Sequence, residues 1–185
     1  MKNMTLYPLS DINELAWPEQ HESLSQNSPA VDFFTDFEAV QPRIIEVATS
    51  ALDARKVMMT THVRLLLVVN QLNHFVGVFS ADDVIERKIV QRVSEGYRRD
   101  EIGVTDLMTP KKQLTALDIT EVKRATIGNV IQVLKNVHQQ HCLVIDSEHN
   151  RIRGIFSASD ISRKLKLYID TDNRFDFNKV FEVTA

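Results

Sequence analysis

A single cysteine, Cys142, excludes an intramolecular disulfide and any zinc site built on several thiolates. It lies in the apolar run Cys142-Leu-Val-Ile145, the setting of a buried thiol rather than a nucleophile. Basic excess is also lacking. The formal net charge is -3, against the basic face that nucleic-acid binders carry, so no nucleic-acid partner is expected. No apolar run approaches the ~18 residues of a membrane span, and no basic stretch precedes an apolar one at the N-terminus. The expectation is a soluble cytoplasmic protein with no membrane partner. There is no P-loop, zinc signature or nucleophile elbow. His138 and His141 stand three apart, but no carboxylate or cysteine completes a metal set at standard spacing, so no metal site is expected. Cys142, His141 and Asp146 supply triad residue types along one strand, from which they cannot converge. These absences point away from catalysis.

Glycine is scarce too, with five in the chain, yet two recur in one setting. Phe75-Val-Gly-Val-Phe-Ser-Ala-Asp-Asp83 is echoed by Ile152-Arg-Gly-Ile-Phe-Ser-Ala-Ser-Asp160, and the glycines stand 77 positions apart. A repeat on this scale decides architecture before any local feature does.

Residues 1–35 read as an extended N-terminal arm, with three of the five prolines and polar spacing that no periodicity survives. Leu6, Tyr7, Leu15 and Trp17 are candidates to pin it to a surface. Two units follow, over 36–97 and 98–169, each reading strand–helix–strand–strand–helix. In the first, residues 43–47 are a strand, and Ser50 with Asp53 opens a helix as a capping pair. Leu65-Leu-Leu-Val-Val69 is continuously apolar, as for a strand covered on both faces. Residues 74–79 pair with it as a hairpin, and Ser80 opens a long helix through Val84, Ile85, Ile89 and Val93 that ends at Gly96. The second unit has a helix over 126–137, strands over 142–145 and 152–156, and a helix from Ser157 onward. It carries extra residues, 118–125, read as an added helical turn. Residues 170–185 form a C-terminal tail.

The repeated Ser-x-x-Asp has two readings. In one, Ser80 and Ser157 cap helices, Asp83 and Asp160 reach back, and the acid suits the helix dipole. In the other, a helix terminus and hydroxyl meet a phosphate while the acceptor-only carboxylate holds ribose hydroxyls. Glycine would then permit close backbone approach. Arg87, Lys88, Arg163 and Lys164 stand three to five residues beyond the acids and can balance phosphate charge.

Over residues 36–168 the chain resembles a tandem pair of CBS domains, named for cystathionine β-synthase. The resemblance rests on the two Gly-apolar-apolar-Ser-x-x-Asp motifs, on the strands Leu65-Leu-Leu-Val-Val-Asn70 and Cys142-Leu-Val-Ile-Asp146, and on Val104-Thr-Asp-Leu-Met-Thr-Pro110. It implies an α+β (α/β) protein in which two CBS-type β-α-β-β-α repeats pack with pseudo-twofold symmetry into one module. It further implies a homodimer, and clefts between the motifs that bind an adenosine nucleotide such as AMP, ADP or ATP, with no cofactor required. By resemblance, Asp83 and Asp160 hold ribose, and Ser80 and Ser157 contact phosphate or ribose. Arg64 in one half and Gln140 or His141 in the other line the wall, and Ile45 and Ile119 flank adenine. The stretch before Ser50 departs from the family by lacking its Val-x-Pro pattern. Asp82 in the first copy is Ser159 in the second, so the second site is expected to hold a phosphorylated ligand more tightly. The leading expectation is a non-catalytic regulatory or sensory module whose output is an unidentified protein target, the terminal arms, or nucleotide storage. The alternative is a structural dimerisation scaffold with empty clefts.

Overall fold

The structure is a computed structural model and describes residues 24–166. The proposed anchoring residues of the arm and the C-terminal tail lie outside the described residues. A short 3-10 turn (Ala30–Phe33) leads into β1 (Thr35–Asp36). The first repeat is β2 (Ile44–Glu46), α1 (Ala51–Thr61), β3 (Leu65–Val69), β4 (Phe75–Ser80) and α2 (Glu86–Ser94). A connector forms α3 (Val104–Leu107) and β5 (Thr109–Pro110). The second repeat is β6 (Ala116–Asp118), α4 (Ile119–Val122), α5 (Ile127–Asn136), β7 (His141–Asp146), β8 (Arg151–Ser157) and α6 (Ala158–Leu165). The single turn α4 is the added turn expected from residues 118–125.

The sheets have the orders β2-β3-β4-β5 and β1-β8-β7-β6, with matching pair directions. In each, the first strand of the repeat runs parallel to the middle strand, which forms an antiparallel hairpin with the next. The fourth strand is exchanged. β5, just ahead of the second repeat, pairs with β4 of the first, and β1, ahead of the first, pairs with β8 of the second. The two repeats therefore clasp each other about a pseudo-twofold axis.

The apolar runs divide between three cores because strand side chains alternate faces. Leu66, Val68 and Phe79 face α1 and α2, while Cys142, Val144 and Phe156 face α5 and α6. Leu67, Val78 and Leu143 fill the space between the sheets with Phe37, Leu114 and Ile155. The layers are helix, sheet, sheet, helix, and β3 and β7 are covered on both faces. Ala30 and Phe33 are buried in the second helix-side core, so residues just ahead of the first repeat complete the second.

Helix starts follow local chemistry. The Ser50 hydroxyl accepts from the Asp53 N–H and caps α1. α2 departs from expectation: it starts at Glu86, not Ser80, because Ile85 is extended (ψ 149°) and residues 81–84 form turns. Asp83 stabilises those turns by accepting from the Ser80 backbone N–H at 2.8 Å. Gly96, at φ 100°, follows the end of α2 in a conformation glycine adopts freely.

Candidate functional site

Two clefts open where the sheets meet, one on either side of the pseudo-twofold axis. Because of the strand exchange, each takes its motif wall from one repeat and its facing wall from the segment ahead of the other. The first cleft, about 200 Å³, is lined by Ser80 and Asp82 of the motif and by Thr109, Leu114 and Thr115, together with Gln140 and His141. The second, about 500 Å³, has Ser157, Ser159, Asp160 and Arg163 facing Thr35, Phe37 and Arg43. His62, Arg64 and Leu65 close it, and His141 lines both clefts. Only the second has the volume usual for a small-molecule site.

The two repeated acids have different environments. Asp83 is 6% exposed and lines neither cleft. Its Oδ2 accepts from the Ser80 N–H and hydroxyl, each at 2.8 Å, and its Oδ1 accepts from Lys88 at 2.9 Å. All three of these partners lie within residues 80–88 of its own motif and the helix that follows. Asp160 is on the second cleft, its side chain 40% exposed, with Arg163 at 2.5 Å as partner. The Ser157 and Ser159 hydroxyls lie 2.8 Å apart and hydrogen-bond to each other, while Ser157 makes no side-chain cap on the backbone N–H groups of α6. Capping describes part of the first copy and none of the second.

Ser80, Gln140 and His141 meet in the first cleft, and Arg64, His141, Ser157 and Asp160 in the second. Ile45 and Ile119 do not join them. Both are buried in the helix-side cores, because the alternation that brings Ile45 inward leaves Ile44 45% exposed, and because Ile119 starts α4. The expected role of glycine also changes. A Cβ on Gly77 would sit 2.5 Å from the Thr109 carbonyl oxygen, and one on Gly154 would strike the Thr35 carbonyl and the Phe34 ring. The glycines admit the exchanged strands rather than a ligand.

Thr35, Phe37 and Arg43 in the second cleft, and Thr109, Leu114 and Thr115 in the first, are among the wall residues not expected as site residues. The signal was present: Asp32-Phe-Phe-Thr35 echoes Asp106-Leu-Met-Thr109 at a spacing of 74, and each stretch leads into an exchanged strand.

Burial holds the His141 pKa down at about 4, with the Arg64 charge adding to it, so the ring is neutral at pH 7. Arg64 lies 3.5 Å from Asp82. Among the described residues no cluster of histidines, cysteines and carboxylates is built to hold a metal, and no helix is long and apolar enough to cross a membrane.

The CBS domain family profile matches residues 36–89 and 104–167. The chain belongs to the CBS domain family and carries the domain as a tandem pair. Among solved structures it is similar to an uncharacterised conserved protein from Pyrococcus horikoshii, with 23% identity and a TM-score of 0.58, over 80% of this chain and 100% of that one. It is similar to CBSX2 in complex with AMP at 21% identity and a TM-score of 0.53, over 74% and 94% of the two chains. It is also similar to the CBS domain pair of MJ0100, in complex with 5'-methylthioadenosine and S-adenosyl-L-methionine, at 17% identity and a TM-score of 0.51, over 74% and 98%. No curated protein gave a significant match.

Proposed function

We propose that the protein is a non-catalytic regulatory or sensory module that binds an adenosine nucleotide, with the second cleft as the principal site. The carrying observation is the second cleft itself: about 500 Å³, with an accessible carboxylate at Asp160, a hydroxyl at Ser157 that caps no helix, and guanidinium groups at Arg43, Arg64 and Arg163. A carboxylate suits ribose hydroxyls, and guanidinium groups suit phosphate. AMP in CBSX2, and 5'-methylthioadenosine and S-adenosyl-L-methionine in MJ0100, support an adenosine-type ligand for such a pair. Binding would change how the repeats clasp, and so alter a surface read by a protein target.

The outer face of the first repeat supports self-association. Met59 on α1 and Val90 and Val93 on α2 are exposed apolar residues, as is Ile85 just ahead of α2. A homodimer through this face would bury them.

Thermal unfolding with AMP, ADP, ATP, S-adenosylmethionine and NADH tests the reading. At about 100 times its dissociation constant, a ligand specific for the native state adds ~2.7 kcal/mol of stability. One observation favours the rival reading, a dimerisation scaffold with empty clefts: Asp83 is satisfied internally, as a structural residue would be. A folded sample that no ligand stabilises would favour the scaffold.

A further inference from the structure

We propose that Asp82 and Arg64 form a switchable ion pair in the wall shared by the two clefts, so that a phosphate-bearing ligand in the second cleft must draw Arg64 away from Asp82. The inference deepens the nucleotide reading and rests on it. Asp82 lines the first cleft and Arg64 lines the second, yet their charged groups are 3.5 Å apart. The backbone between them is fixed, since the Ala81 N–H donates to the Arg64 carbonyl at 2.9 Å. Only the side chains are left to move. They are 55% and 63% exposed, and a pair this open to water exchanges partners at small cost.

The second repeat provides the internal comparison. There the Ala158 N–H donates to the Gln140 carbonyl at 2.8 Å, the same backbone bond, but the side chains in the matching places are Gln140 and Ser159. The scaffold is duplicated and the ion pair is not.

The consequences follow from charge. While Arg64 is paired, Asp82 cancels part of the positive field that a phosphate in the second cleft would meet. Asp160 cancels more by holding Arg163, and Arg43 also lines this cleft. Once Arg64 turns to the phosphate, Asp82 is left as an uncompensated acid in the first cleft, whose lining contains no lysine or arginine. A second anion is then disfavoured there, whereas an uncharged nucleoside is not. By linkage the effect is reciprocal: phosphorylated ligands in the two clefts oppose each other. His141 touches both clefts and feels Arg64, Asp82 and Asp160, which places all four groups in one electrostatic neighbourhood.

Calorimetric titration of the full chain with AMP, adenosine and inorganic pyrophosphate tests the proposal, using Asp82→Ser to copy Ser159 and Arg64→Gln to copy Gln140. Asp82→Ser should tighten AMP and pyrophosphate by about two- to fivefold and leave adenosine unchanged. In the Arg64→Gln background the Asp82→Ser gain at the tighter, second-cleft site should vanish, and any gain left should fall on the weaker, first-cleft site. Equal AMP affinity in the wild type and Asp82→Ser, or an equal gain for adenosine, would overturn the ion-pair proposal while leaving the nucleotide reading intact. A pyrophosphate gain in a protein that binds neither AMP nor adenosine would support the ion pair and remove the nucleotide reading. A folded protein that binds none of the three would overturn both.

Discussion

Gly77 and Gly154 occupy places where a methyl group meets the backbone of an exchanged strand. Gly154→Ala should cost about 1–3 kcal/mol in urea unfolding, since a carbonyl and the Phe34 ring must both give way. An unchanged midpoint would show that the seam between β1 and β8 is looser than the geometry indicates. His141 governs a different property. Its folded pKa lies below the 6.5 of an ordinary histidine, so the unfolded chain binds the proton first. Stability is then full above pH 6.5, falls as the pH drops toward about 4, and levels off below that. His141→Leu, which copies Leu65 at the matching place, should abolish this loss, on the order of 2–3 kcal/mol for the wild type. A variant with the same pH profile would assign the loss elsewhere. Asp36 and Asp146 act in a separate window. The hydrogen bond from Arg153 holds Asp36 below 3.8, and those from His149 and Arg151 do so for Asp146. Their stabilisation is present above pH 3.8 and lost as the pH falls through their lowered values, so it does not mask the His141 step.

At the scale of elements, the strand exchange determines which segments make a folding unit. Phe33 precedes the first repeat in sequence but is 2% exposed in the core of the second, with Lys164 5.5 Å from its ring centre. Phe33→Ala should therefore cost ~3–5 kcal/mol in urea unfolding, the toll of emptying a core site. A loss below ~1 kcal/mol would mean that the segment ahead of β1 is peripheral. The seam is reinforced by Arg153, which donates to both carboxylate oxygens of Asp36 at 2.8 and 2.6 Å. Much of this architecture was legible in the sequence. The continuous apolarity of Leu65–Val69 signalled a strand covered on both faces, and the doubled glycine motif signalled the repeat. The exchange was not, because a two-residue strand such as β1 or β5 carries no period-2 pattern. The start of α2 was misplaced because Ser80-Ala-Asp-Asp83 satisfies a capping pattern locally, while the extended Ile85 delays the helix. The inward-turned Asp83 pairs with Lys88, five residues on, outside the spacing of helix-surface pairs. The motif acid therefore braces a turn in one half and lines a cleft in the other.

For the whole molecule, two unequal clefts lie on either side of one pseudo-twofold axis, and an apolar face lies across the helices of the first repeat. Met59→Glu with Val90→Glu should convert the proposed dimer to a monomer in light scattering, because both residues are more than half exposed in the single chain. A dimer that survives the pair would move the interface elsewhere. The inequality of the clefts bears most directly on function. Asp83 is enclosed and Asp160 is accessible, so their alanine variants should separate a folding effect from a binding effect. Calorimetric titration of AMP into the wild type and Asp160→Ala, each first shown to be folded, is the deciding measurement. The wild type should bind AMP, and Asp160→Ala should lose about ten- to a hundredfold in affinity, as expected for removing a charged hydrogen-bond partner from a bound ribose. A folded wild type that gives no heat with AMP, or an Asp160→Ala variant that binds it as tightly as the wild type, would contradict the assignment of the second cleft as the nucleotide site.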